Sequence, residues 1–192
     1  MNKILVIILC CSLVPSFAAA DDTAIVQSAR KQVGVTLSYD RAYSKLAYPN
    51  GDIPLERGVC TDVIIRALRD AKNMDLQKLV HEDMKKSFSA YPKDWQLKST
   101  DRNIDHRRVP NLKVYFKRNQ ESLAVTNKPS DYRSGDIVTS MVSGNLPHIM
   151  IVSDKLTAKG VPLVIHNIGS GAREEDSLFE YPLTGHYRLK QL

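Results

Sequence analysis

Hydrophobic spacing changes once along this chain, and that change constrains the fold more than any other feature. Before Ser134, apolar residues recur at three- and four-residue intervals. "TAIVQSARKQV" (23–33) sets Ile25, Val26, Ala29 and Val33 on one helical face, and "CTDVIIRALRDA" does the same with Val63, Ile64, Ala67, Leu68 and Ala71. Residues 75–91 read as a further helical stretch. Pro110 suits the first turn of a helix whose Leu112, Tyr115 and Phe116 point one way. From Ser134 onward the period becomes two. "SGDIVTSMV" follows a turn, "LPHIMIVSD" alternates His148, Met150 and Val152 against Ile149 and Ile151, and "VPLVIHNIG" alternates Val164, His166 and Ile168 against Leu163, Ile165 and Asn167. "LFEYPLTGHYRL" supplies one or two more short strands. Helices followed by successive strands predict an α+β domain with an antiparallel sheet.

The chain opens with Lys3, an apolar run from Ile4 to Val14, and the small residues Ala18-Ala19-Ala20. This is the pattern of a secretory signal peptide, too short and too weakly flanked for a stable membrane span. Cleavage is expected after Ala20, giving an exported, periplasmic protein with no membrane span. Leu9 is larger than the residue that precedes a lipidated cysteine, so Cys10 and Cys11 are expected to leave with the leader. The remaining residues, 21–192, suit one domain with a proper core. The formal net charge is +6, of which Lys3 carries one. A basic exported protein is drawn to anionic surfaces such as cell-wall polymers. No basic tract interleaves with aromatics, which argues against nucleic acid as a partner.

Of three cysteines, only Cys60 lies beyond the leader, so no internal disulfide is possible. A lone thiol in an oxidising compartment needs a packing, bridging or reactive role. Cys60 stands where the second helix begins. Exposed N–H groups and aligned peptide dipoles there stabilise an anion, which predicts a lowered thiol pKa, partly opposed by Asp62. A nucleophile also needs a base and a group to orient that base. His148 opens one strand and His166 lies near the end of the next; pairing through residues 154–160 sets both imidazoles on one face. A histidine among alternating apolar residues is more often a satisfied core residue than a catalyst, and the cysteine-bearing helix is what gives this pair weight. His106 and His186 read as structural or surface residues, and His81 as exposed. Arg107 and Arg108, in "NIDHRRVPNL", either grip a carboxylate in a forked arrangement or sit in a solvated loop or a pinning ion pair.

The order of these features resembles the NlpC-type cysteine peptidases of bacterial cell walls, which share a papain-like core. "VCTD", "HIMI" and "VIHN" match that family's nucleophile, base and orienting stretches. The resemblance implies a papain-like α+β fold with Cys60 as nucleophile, His148 as base and His166 as orienter. It also implies an oxyanion-stabilising tyrosine, carried onto Tyr48 by counting back twelve residues, with Tyr39 and Tyr43 as alternatives. No cofactor or metal is implied. The sequence departs from the family's pattern at Val59, Thr61-Asp62 and Met150, which puts specificity in doubt more than mechanism. Over nearly the whole mature chain, "YPNGDIP", "GVCTDV", "NIDHRRVPNL", "LPHI", "IHNIG" and "TGHYR" resemble an exported bacterial family, the domain-of-unknown-function family 1287.

The function so implied is thiol acyl transfer by a peptidase or amidase acting on peptidoglycan stem peptides or another envelope amide. Arg107, Arg108 and Asp62 would meet the substrate. Three other classes stay open: a transglutaminase-like enzyme with Asp176 as third member, a zinc site on Cys60, His148 and His166, and a non-catalytic envelope-binding module. Burial of Cys60 or a closed cleft would mark the last.

Overall fold

Residues 19–190 are described by a computed structural model. The leader expected at residues 1–20 lies outside the described residues, apart from Ala19 and Ala20, which begin the first helix. No helix among the described residues is long and apolar enough to cross a membrane.

Among the described residues, four α-helices precede the main sheet: α1 (Ala19–Arg30), α2 (Cys60–Lys72), α3 (Leu76–Lys86) and α4 (Val109–Asn119). Their ends follow local chemistry. The Asp62 carboxylate accepts the Val59 N–H at 2.7 Å at the start of α2. Left-handed Asn73 (φ 53°) closes that helix, its N–H bonding to Arg69 O at 3.0 Å. Asp75 caps α3 by accepting from Gln77 N at 3.0 Å, and Pro110 occupies the first turn of α4. Helix α1 stops earlier than the apolar spacing predicts. The chain turns at residues 31–35 through Gly34 (φ 79°), which leaves Val33 40 % exposed.

Two short segments, β1 (Ser38–Tyr39) and β2 (Arg57–Gly58), pair in parallel. The main sheet contains β3 (Glu121–Leu123), β4 (Ile137–Val142), β5 (Leu146–Leu156), β6 (Pro162–Asn167), β7 (Ala172–Glu175) and β8 (Leu183–Arg188) in the order β3-β8-β4-β5-β6-β7. Every neighbouring pair is antiparallel. This is the mixed helix-and-sheet architecture that the change of period predicts. The edge strands β3 and β7 were not expected, because "ESL" and "AREE" carry no apolar alternation; charge at a sheet edge discourages pairing with another chain.

The faces of the sheet have different partners. Ile137, Ile149, Ile151 and Ile165 share a core with Ile25, Ile64, Leu68, Leu112 and Phe116 of the helices. Val138, Met150, Val152 and Val164 point the other way and pack with Tyr132 and Leu178. Met150, one of the departures noted in the sequence, thus fills a second apolar cluster. His81, expected at the surface, is only 9 % exposed, and Tyr48 packs edge-on against its ring.

Beneath the second cluster, buried Asp136 accepts from His186 Nε2 at 2.7 Å and from Arg188 Nε and Nη2, each at 2.7 Å. His186 is therefore structural. Burial alone raises the Asp136 carboxyl, but the bonds from His186 and Arg188 outweigh it and hold the group below its ordinary range. The stabilisation is fully present above the unfolded value of about 3.9 and is lost as pH falls through the lower folded value. We expect Asp136→Asn to cost about 3 kcal/mol at pH 7. Urea midpoints measured against pH will show this difference shrinking below about pH 4.

Candidate active site

Cys60 is the first residue of α2, and three polar side chains fix the segment that leads into it. Buried Arg66 donates to the carbonyls of Ile53 (3.2 Å) and Arg57 (3.1 Å), and its Nε reaches Asp52 Oδ2 at 3.0 Å. Asn167, at the end of β6, donates through Nδ2 to Gly58 O at 3.0 Å and Ser38 O at 3.2 Å. One carboxamide thereby ties the cysteine approach and the Tyr39 segment to the strand carrying His166. Asp62 holds the helix entry from within α2.

The two histidines meet. Between β5 and β6 the last residue pair at this end is Ile151 with Ile165, so His148 and His166 lie beyond it on one face. His148 Nε2 stands 2.7 Å from His166 Nδ1, with ring centroids 5.0 Å apart and planes at 65°. His166 Nε2 lies 2.9 Å from Glu175 Oε1. Cys60 and His148 both line a cleft of about 680 Å³, together with Tyr39, Arg41, Trp95, Arg107, Arg108, Leu146 and Ile168.

Tyr39 is the tyrosine at the sulfur, its hydroxyl 3.9 Å from Cys60 Sγ. Tyr48 is elsewhere, against His81 and beneath the guanidinium of Arg102. The assignment of the oxyanion tyrosine to Tyr48 is therefore corrected: counting along an irregular loop does not give proximity in space.

Asp62 and Arg107 are also placed differently from the expectation that both meet substrate. Arg107 Nε bonds to Asp62 Oδ1 and Nη2 to Oδ2, both at 2.9 Å, and both side chains are buried. Each satisfies the other. Of the two readings of the paired arginines, Arg107 takes the pinning ion pair. Arg108 keeps its guanidinium at the cleft, 4.1 Å over the Trp95 ring, with one bond of 3.3 Å to Asp105.

Electrostatics at the sulfur oppose the expectation from its helix position. Burial pushes the Cys60 thiol up to about 11; the Ile149 N–H and the Tyr39 hydroxyl pull the other way with less effect. The thiol is only 3 % exposed, and loss of hydration outweighs the helix terminus. Burial, and secondarily the neighbouring His166, drive His148 down to about 3. His166 is lowered by burial too, against an opposing pull from Glu175. The resting site thus holds a neutral thiol and two neutral imidazoles. Asp176 is exposed on the far side of Glu175 in sequence, and the carboxylate at His166 is Glu175. Among the described residues, no group of three or more His, Cys, Asp or Glu side chains is arranged to hold a metal ion.

Residues 26–189 match the family model described as Domain of unknown function (DUF1287). The chain belongs to the DUF1287 family. An uncharacterized Escherichia coli K12 protein, YijF, is 56 % identical over 170 residues, covering 88 % of this chain and 82 % of that one. Two crystal structures titled as an N-acetylmuramoyl-L-alanine amidase from Bacteroides uniformis share the fold. Their TM-scores are 0.53 and 0.52 at 11 % and 12 % identity, over 89 % of this chain and 99 % of theirs.

In this DUF1287 chain, Glu175 and Asn167 carried no sequence signal. Glu175 sits in a charged edge strand, and Asn167 reads as one more polar position beside His166. A raised thiol pKa has a direct readout. We expect iodoacetamide to alkylate Cys60 at pH 7 at least tenfold more slowly than an exposed thiol of ordinary pKa. Mass spectrometry against pH will show the rate still climbing above pH 9.

Proposed function

We propose that this protein is an exported cysteine hydrolase of the papain-like, NlpC-type class that cleaves an amide of the peptidoglycan stem by acyl transfer to Cys60. The observation carrying this reading is the shared cleft: Cys60 begins a helix there, and His148 lines the same cleft with its Nε2 held 2.7 Å from His166. The fold shared with a protein titled N-acetylmuramoyl-L-alanine amidase supports a cell-wall amide as substrate. So do the guanidinium groups of Arg41 and Arg108 in a cleft whose lining includes no carboxylate, since stem peptides carry free carboxylates. Export follows from the leader pattern at residues 1–20.

Chemistry starts from the neutral pair. His148 accepts the Cys60 proton as sulfur attacks the carbonyl carbon, so charge separation develops on the way to the transition state. The Cys60 N–H at the helix start and the Tyr39 hydroxyl are the oxyanion donors. Burial raises the Tyr39 pKa, which keeps the hydroxyl protonated and able to donate. His148 then passes its proton to the leaving amine, and water, deprotonated by the same ring, releases the acyl group.

Burial of the thiol favours a second reading, an envelope-binding module on the same fold. Peptidoglycan digests analysed by mass spectrometry separate the two. The hydrolase reading requires newly released amine with the wild-type protein and none with Cys60→Ala. Co-sedimentation with peptidoglycan, without release by either, would establish the module. We further expect Tyr39→Phe to lower kcat about 100-fold, the usual cost of one oxyanion donor. Arg108→Ala is expected to raise KM for a carboxylate-bearing substrate about tenfold, with kcat little changed.

A further inference from the structure

Each neutral imidazole carries its proton on one of two nitrogens, and for His148 that choice decides whether it can act as a base. The contacts settle it from the outside inward. Val164 pairs with Glu175 and His166 with Arg173, so Glu175 lies on the sheet face of His166. Glu174 points to the opposite face, where Arg30, Lys155 and Ser153 bond to it. Only the second of the adjacent glutamates can serve the histidines. An ionised carboxylate accepts hydrogen bonds and donates none, so the 2.9 Å contact to Glu175 Oε1 puts the His166 proton on Nε2. His166 Nδ1 then holds a lone pair. The 2.7 Å contact to that atom makes His148 Nε2 the donor. Nδ1 is the ring nitrogen of His148 left for the cleft, and it carries a lone pair.

We propose that Glu175 is a positioning residue: through His166 it fixes the proton of His148 on Nε2, leaving Nδ1 to accept the Cys60 proton. Its importance for turnover rests on the hydrolase reading above. The proton balance is simple. The S–H bond of Cys60 breaks, an N–H bond forms at His148 Nδ1, and no proton moves further. The new imidazolium donates through Nε2 to His166, whose own N–H faces the carboxylate. The other charged groups about His166 are Glu180, which accepts from Ser177 Oγ at 2.8 Å, and Arg173, its cross-strand partner. Glu175 is 36 % exposed, so substitutions there leave the core intact.

Imidazole nitrogen NMR on protein labelled at histidine reads the tautomers directly, and alkylation of Cys60 at pH 7 reads proton acceptance. In the wild type, both His148 and His166 are expected as the Nε2–H form. Glu175→Lys places a donor where the acceptor was; both rings should invert to Nδ1–H and alkylation should slow about tenfold or more. Glu175→Gln, which can still accept through its amide oxygen, should keep the wild-type tautomers and alkylate within about threefold of the wild-type rate. Should the Lys variant not fold, Glu175→Ala serves, with mixed tautomers at both rings expected. A wild-type His148 protonated on Nδ1 would overturn the proposal, as would unchanged tautomers in both the Lys and Ala variants. Tautomers and alkylation as expected, without amide cleavage by the wild type, would uphold the control of the rings by Glu175 and sink the hydrolase reading instead.

Discussion

One buried ion pair holds the surroundings of Cys60 together. The Arg107 guanidinium spans both oxygens of Asp62 and also donates to the carbonyls of Ala42 (3.3 Å) and Asp40 (3.2 Å). Asp62 in turn accepts the N–H of Val59, the residue before Cys60. Three stretches distant in sequence thereby meet at one point: the start of α2, the turn at Asp105–Arg107, and the segment just after Tyr39. Removing either charge would leave the other largely buried without its partner, and this makes the junction hard to loosen. Where the sulfur sits, and where the Tyr39 hydroxyl sits relative to it, both follow from this pair.

The sheet is joined to that junction by a neutral side chain, and the loop between β1 and β2 by a charged one. Asn167 grips the carbonyls of Ser38 and Gly58 from the strand that carries His166, and Arg66 gathers the loop between β1 and β2. The division has a physical logic. Charges fix the helix side, where their partners are also charged, while an amide bridges to the strand without adding a charge beside the histidines.

Much of this was legible in the sequence, and what was not has identifiable causes. The change of apolar period gave the helices α1 to α4 and the strands β4, β5, β6 and β8, because their apolar residues recur at the period of each element. The edge strands β3 and β7 bury little, so their residues carry no such pattern, and Glu175 was hidden with β7. His148 and His166 could be paired on paper because strand parity is a strict period of two. Tyr39 could not, since nothing in a loop converts residue counting into distance. Asp62 and Arg107 lie 45 positions apart and find each other only in the folded chain. The thiol shows the plainest limit. A helix N-terminus can be read from sequence, whereas the burial that outweighs it cannot.

That burial bears on how the Cys60 sulfur survives. Oxidants such as peroxide attack the thiolate, and a thiol held protonated and shielded offers them little of it at neutral pH. The step to sulfenic acid is slowed by the same environment that keeps the resting sulfur quiet. On the proposed mechanism the Cys60 sulfur becomes reactive only when a substrate fills the cleft and His148 takes the proton.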